Sequence, residues 1–397
     1  MIGPMTWPKV RIAGGSIGGL TAGLLLRDLG CEVDVYERSR SPLEDRGVGI
    51  VVLPVTERYF TEQSVAPARV SLALNHWTYV DGTGAVIDAA PVQSRFTAWG
   101  TIYAALLEAF GHGRYHLDHE VVGFDDDGGA VAARFADGSS ADGDLLIFAD
   151  GISSTGRSLL LPDVGPEYAG YVAWRGTTSE AALSDQARED LADAMIYQVL
   201  DGSHILAYAI PDSHGRTTSP HRAMNFVWYR NYPAGGPFED LMRGRDGRQR
   251  TTTMPPGSIR QEHLDEMRST AMQTIAPTLL EVVLACDEPL IQAVFELESP
   301  HMAFGRVCLI GDAAATLRPH VAAGQAKACA DAWALRDALS ASRGDVEAAL
   351  AEWEPTQLVL AHNALSRSRE MGVASQFERS MEPGDPSWRF GLWEPGN

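Results

Sequence analysis

Residues 9–38, KVRIAGGSIGGLTAGLLLRDLGCEVDVYER, constrain this chain more than any other stretch. Val10 and Ile12 begin a short apolar run, and Leu20, Leu24 and Leu25 then recur at helical spacing. Val33 and Val35 alternate as in a strand. The pattern is a β-α-β unit of roughly thirty residues. Its turn, GGSIGG at 14–19, follows the GxGxxG pattern with Ser16 in the middle glycine position. In such a turn the first glycine permits a tight exit from the strand, and the middle position lets the backbone approach a pyrophosphate. The third glycine lets the helix pack closely on the strand. Gly14 and Gly19 fill the outer positions, and a short serine fits the middle one while adding a hydroxyl donor. The helix N-terminus offers unpaired N–H groups and a partial positive charge to an anion. Glu37 closes the second strand 23 residues after Gly14, where a carboxylate accepts hydrogen bonds from ribose hydroxyls. The expectation is a dinucleotide-binding domain.

Two later stretches have the same strand-then-turn form. DLLIFADGISSTGR runs into Asp150-Gly151, and GRVCLIGDAAATLRPHVAAGQAKACADAWALRDAL runs into Gly311-Asp312, then a loop and a long helix starting near Gly324. Between them lie segments of period-2 alternation. His204, Leu206, Tyr208 and Ile210 share one strand face, and Met224, Phe226 and Trp228 share a face of another. The Arg-, Gly- and Pro-rich stretch 236–262 reads as a surface excursion. The expected fold is α/β: a discontinuous Rossmann-like domain at 9–75, 98–170 and 285–345 with an inserted mixed β-sheet domain at 76–97 and 171–284. A C-terminal helical segment occupies 346–397.

Charge and cysteine content narrow the function classes. Lys and Arg total 32 against 52 Asp and Glu, a net charge of −20, which argues against a nucleic-acid or anionic-membrane surface. No apolar run reaches the ~18 residues of a membrane-spanning helix, and the N-terminal residues lack the pattern of a secretory leader. Cys31, Cys286, Cys308 and Cys329 are widely spaced, as buried thiols of a cytoplasmic protein would be, and they suggest neither a disulfide framework nor a metal site.

Taken in order, GxSxxG, Glu37-Arg38, DGxxSxxR, GDAA and the downstream Pro319, Gly324 and Asp331-Ala332 resemble the flavoprotein aromatic hydroxylases of the para-hydroxybenzoate hydroxylase fold. The likeness runs from about residue 9 to 345. Phrases such as YAGYVAWRG, HILAYAIP and RPHVAAGQAKA, with its Lys327, are most similar to the dihydroxypyridine hydroxylase branch. The resemblance implies FAD as cofactor. Gly14, Gly15, Ser16, Ile17, Gly18, Glu37 and Arg38 would hold its ADP half, and Asp150 would lie by the nucleotide. Gly311 and Asp312 would lie by the ribityl chain and pyrophosphate, and Pro319, Ala323 and Gly324 against the isoalloxazine. The Gly47–Ile50 loop, with Gly49 and Ile50, would pass near the flavin. Two departures stand out: Ala315 replaces the histidine of the usual GDAAH, and WGTIYAALLEAF lacks the usual helix arginine.

The same resemblance implies a monooxygenase that draws electrons from transiently bound NADH or NADPH. Reduced flavin and O2 give a C4a-hydroperoxide that hydroxylates a small electron-rich phenol- or hydroxypyridine-like ring. The alternatives are a same-fold epoxidase or reductase of natural-product tailoring, or a flavin-binding protein without turnover. Partners are expected to be the aromatic substrate, O2, NAD(P)H and a second copy in a homodimer.

Ring hydroxylation gains from removal of a substrate hydroxyl proton, and histidine, with an ordinary pKa near 6.5, suits that task. His204, on the Tyr208 face, is the candidate base, with a plain hydrogen-bonded histidine at a strand start as its alternative, and Tyr208 a positioning hydroxyl; His320 is the second candidate for substrate contact. Arg175 is a candidate for binding an anion, with a structural salt bridge as its alternative. Trp77, Trp174 and Trp228 are candidates for an aromatic wall, although core packing is the commoner fate of tryptophan.

Overall fold

The computed structural model describes residues 7–43, 48–64 and 70–397. The first β-α-β unit forms as the sequence predicts: strand Lys9–Ala13, helix Ile17–Leu29 and strand Glu32–Tyr36. Four parallel strands make the centre of a six-stranded sheet, in the order Val307–Leu309, Leu145–Phe148, Lys9–Ala13 and Glu32–Tyr36. Val10, Ile12, Leu145–Phe148 and Val307–Leu309 are fully buried, as expected where helices cover a parallel sheet on both faces. Helix Ile17–Leu29 packs on helix Gly324–Ala341, which in turn packs on the 28-residue helix Val346–Val373.

The consequence for function is one of adjacency. The three middle strands end at Ala13, Phe148 and Leu309, and the three glycine turns follow within two residues of those ends. Backbone bonds Ala149 N to Ala13 O (2.7 Å) and Ile310 N to Phe148 O (3.0 Å) tie the turns side by side. Gly14 sits at φ +102°, and a Cβ there would lie 2.3 Å from the Ala149 carbonyl oxygen. Only glycine lets these two turns touch. Ligands of open α/β sheets bind at this carboxyl edge.

The second sheet is mixed and larger. Its central antiparallel strands are Glu167–Ser179, Ala223–Asn231, Ser203–Ile210 and Ala194–Leu200, with His76–Val80 and Val86–Ala90 at one edge. Strand Leu290–Glu298 also belongs to it, pairing with Glu167–Ser179, so the boundary drawn at 285 does not coincide with the sheets. The strand Ser94–Ala98 instead pairs with Gly49–Val52 and Leu72–Leu74 in a small sheet of its own. The stretch 236–262 is less of an excursion than its composition implies, because Leu241, Met242, Met254 and Ile259 are buried.

Both faces of the large sheet are covered. Helix Pro277–Leu284 packs on the strands holding Met224, Phe226 and Trp228, so that face is core. The opposite face, carrying His204, Leu206, Tyr208, Val227 and Tyr229, looks toward the glycine turns. Among the described residues no helix is long and apolar enough to cross a membrane.

Candidate active site

A single cleft of about 690 Å3 runs from the glycine turns to the large sheet. At one end Gly14, Ser16, Ile17 and Gly18 line it together with Glu37 and Arg38. Gly15 lies behind the lining: its N–H donates to Glu37 Oε2 (3.0 Å) and its carbonyl accepts from Tyr115 Oη (2.9 Å). Glu37 Oε1 accepts from Ser39 N (2.9 Å), so two backbone N–H groups fix the carboxylate at the cleft wall. Ser16 makes no side-chain bond to the first turn of its helix, which leaves its hydroxyl available to a ligand. Tyr36, His119 and Val121 complete this end. Motif reasoning missed the last two, since they come from a region with no motif of its own.

The middle of the cleft carries Asp150 and Asp312. Asp150 Oδ2 accepts from Thr155 N (2.7 Å), whereas Oδ1 is buried and has no partner among the described residues. Burial raises the Asp150 carboxyl above the ordinary carboxylate range. Arg157 is buried against the same turn, donating to Ala313 O (3.1 Å) and Ile152 O (2.5 Å). Asp312 opens into the cleft but is surrounded by protein on its other sides. That crowding raises its pKa, while the nearby Lys327 opposes the rise. Pro319, Ala323 and Gly324 line the next stretch, with Gly49 and Ile50 also on the wall. Gly47 lies outside the described residues. Gly49 is held at both ends, its N–H by Asn225 Oδ1 (2.9 Å) and its carbonyl by Arg175 (2.5 Å).

These features fit FAD. The cleft is long and continuous, an uncapped helix N-terminus and a fixed carboxylate stand at one end, and a buried carboxylate oxygen lacks a partner midway. When bound, the reduced flavin supplies the activation of O2.

At the far end the large sheet contributes His204, Tyr208, Tyr197 and Tyr229, and the loop after Gly311 contributes His320. Register explains the grouping, because His204 lies directly opposite Tyr229 and Tyr208 opposite Asn225. The His204 ring stacks on Tyr197 (5.2 Å, 8°) and lies 4.5 Å from the Tyr229 ring and 5.2 Å from the His320 ring. Tyr171 Oη meets His320 Nε2 at 2.7 Å, and Gln376 Nε2 meets His204 Nδ1 at 3.2 Å. Gln376 comes from a π-helical turn, Ala374–Glu378, that ends the long C-terminal helix. Phe390, further along, also lines the cleft.

Burial corrects the premise on which His204 was chosen. Its pKa falls from the ordinary 6.5 to about 3, and that of His320 falls well below 6.5. Both rings are thereby held in the neutral, hydrogen-bonding form at neutral pH. The same burial pushes the Tyr208 hydroxyl up to about 12. Among the described residues Arg175 makes no ion pair; it donates to the Gly49 carbonyl and to Gln292 Oε1 (2.9 Å). Those three tryptophans do not wall the cleft, whereas Trp99 does. Trp77 packs on Phe390 (4.6 Å), Trp228 donates to Ser203 Oγ (3.0 Å), and Trp174 is fully buried.

Comparison with known proteins agrees with this geometry. A family described as FAD binding domain-like matches residues 168–296. The chain is 39% identical over 388 residues to 2,6-dihydroxypyridine 3-monooxygenase of Paenarthrobacter nicotinovorans, covering 98% of this chain and 96% of that one. It is 26% identical to 6-hydroxynicotinate 3-monooxygenase of Pseudomonas fluorescens, covering 97% and 94%. The solved 2,6-dihydroxypyridine-3-hydroxylase of Arthrobacter nicotinovorans superposes with a TM-score of 0.92 at 38% identity, covering 98% of each chain. With a likeness that spans nearly the whole length in both sequence and fold, the chain belongs to the class A flavoprotein aromatic hydroxylases and is an FAD-dependent aromatic monooxygenase.

Proposed function

We propose that the enzyme hydroxylates a small, uncharged, hydroxylated N-heteroaromatic ring of the hydroxypyridine class. The observation that carries this reading is that the imidazoles and phenols of the cleft's far end are uncharged. His204 and His320 are held neutral by burial, and Tyr197, Tyr208 and Tyr229 are held protonated. Among the described residues the guanidinium that reaches this end, Arg175, donates through its Nη groups to Gly49 and Gln292, and its Nε has no partner. A benzoate carboxylate brought among these rings would exchange its hydration for neutral donors and for an Arg175 whose Nη groups are already engaged, an unfavourable exchange. A hydroxypyridine instead offers donors and acceptors that match neutral imidazoles and phenols. The 2,6-dihydroxypyridine specificity named for the 39% identical relative supports the same class.

In this reading His204 and His320 orient the ring hydroxyl groups, and the hydrogen bond at His204 draws on the hydroxyl proton without full transfer to a free imidazole. Tyr208 positions the ring from the same strand face. Glu37 and Arg38 hold the ADP half of FAD, Asp150 and Asp312 its middle, and Pro319, Ala323, Gly324, Gly49 and Ile50 its ring. The reduced nicotinamide donor typical of the family binds transiently. We further assign the enzyme to the cytoplasm, as a homodimer. The test is a substrate panel with product identified by mass after reaction under 18O2. Coupled hydroxylation of a dihydroxypyridine and inert hydroxybenzoates are expected; coupled hydroxylation of hydroxybenzoates alone refutes the assignment.

A further inference from the structure

Lys327 and Asp331 form an ion pair of 2.9 Å in which both side chains are 0% exposed. Helix stability does not account for it. In an i, i+4 pair the acid is better placed N-terminal to the base, and here the order is reversed. Lys327 also stands at the start of helix Gly324–Ala341, where the positive end of the helix dipole disfavours a cation. Burial of two charges adds a desolvation penalty that a buried pair often only just offsets.

Both charges converge on one residue outside their helix. Asp331 Oδ2 accepts from the Gly311 N–H at 2.8 Å, and Lys327 Nζ donates to the Gly311 carbonyl at 3.2 Å. Gly311 is left-handed, with φ +60°, and a Cβ at that position would come within 2.9 Å of Ala328 Cβ on the same helix. The next residue is Asp312, whose side chain opens into the cleft. A further bond, Trp353 Nε1 to Asp331 O (3.0 Å), anchors this part of the helix to the C-terminal helix.

We propose that the Lys327–Asp331 pair is a clamp that holds the Gly311–Asp312 turn in its ligand-ready form before FAD arrives. The two are positioning residues: they lie behind the cleft wall and act through the Gly311 peptide. The pair thus sets how much ordering FAD must impose when it binds, and preorganisation of this kind is gained as affinity. Because the clamp concerns the cofactor, it is independent of the substrate class proposed above.

The test uses two double variants of the full chain. Lys327→Met with Asp331→Leu replaces the pair by apolar side chains of similar size, a change that buried ion pairs often tolerate, and it removes both bonds to Gly311. Lys327→Met with Asp331→Asn restores an acceptor for the Gly311 N–H alone. FAD dissociation constants come from titration of each apoprotein, with thermal unfolding as the control for folding. The expected order is wild type tightest, the Met/Asn pair intermediate, and the Met/Leu pair weaker than wild type by about tenfold or more, equivalent to ~1.4 kcal/mol. A folded Met/Leu variant with wild-type FAD affinity overturns the clamp. Hydrogen exchange at the Gly311 amide of wild-type apoprotein decides the matter even if neither variant folds. Strong protection without FAD is expected, and exchange at the rate of an unstructured amide overturns the proposal.

Discussion

Lowering the pH should destabilise this enzyme through His204, and the size of the effect follows from burial alone. His204 is 1% exposed, and its pKa falls from 6.5 to about 3 in the folded protein because burial disfavours the charged ring. In the unfolded chain the imidazole recovers its ordinary pKa and takes up a proton below pH 6.5. A folded pKa below the unfolded one means that the stabilising contribution is complete above pH 6.5. It is lost progressively as the pH falls from 6.5 toward 3. Each pH unit inside that window costs about 1.4 kcal/mol, so bringing the protein from pH 8 to pH 5 costs roughly 2 kcal/mol through this residue. Other groups titrate over the same range with a share common to wild type and variant, apart from His320, whose proton affinity His204 also lowers. His204→Gln keeps a polar side chain opposite Tyr229 and removes the titration. The assay is urea unfolding followed by tryptophan fluorescence at pH 8 and pH 5 for both proteins. The pH-dependent loss should be greater in wild type than in His204→Gln by ~2 kcal/mol. Equal losses in the two proteins would refute the assignment of a neutral, buried His204.

Further outcomes follow from the cleft. Glu37→Ala should weaken FAD by ~1.5–3 kcal/mol relative to an exposed Glu→Ala control, because a charged acceptor is lost and the Gly15 and Ser39 N–H groups lose their partner; FAD titration of the apoproteins checks this. Asp312→Ala should lower FAD content or uncouple NAD(P)H oxidation from product formation, and wild-type values of both would show that Asp312 does not face the cofactor. His204→Ala should retain FAD while product formation falls by about fivefold to a hundredfold, the scale of a buried polar group left without its partner at ~1–3 kcal/mol. For the same reason the wild-type activity profile should show no limb at pH 6–7 that disappears in His204→Ala; a limb that does disappear would restore His204 as a titrating base.

The nucleotide end of the cleft was legible because its information is local. Each glycine turn is fixed by steric demands within a few residues, as the Gly14 and Gly311 conformations show. Glu37 is placed by the length of one β-α-β unit. Gly15 shows the limit of such reading: its place in the motif was right, yet its N–H serves Glu37 and it stands behind the wall. The period-2 pattern likewise located the strands of the large sheet without telling which face meets the cleft. The residues chosen as a possible aromatic wall, Trp77, Trp174 and Trp228, are core, and the wall is made by Tyr197, Tyr208, Tyr229 and Phe390.

The sequence by itself determined the fold class and the dinucleotide turn, since glycine sterics and strand-helix periodicity act over short stretches of chain, and the resemblance of its ordered motifs to a known family implied the cofactor and the reaction. Tertiary structure decided the chemistry of the substrate end. His204, Tyr229, His320 and Gln376 come from two strands, a loop and a C-terminal turn, and only folding brings them within contact. Their ionisation is likewise a property of the folded surroundings. A histidine near pKa 6.5 in the chain becomes a neutral ring at about 3 because the protein around it excludes the water that would solvate its charge.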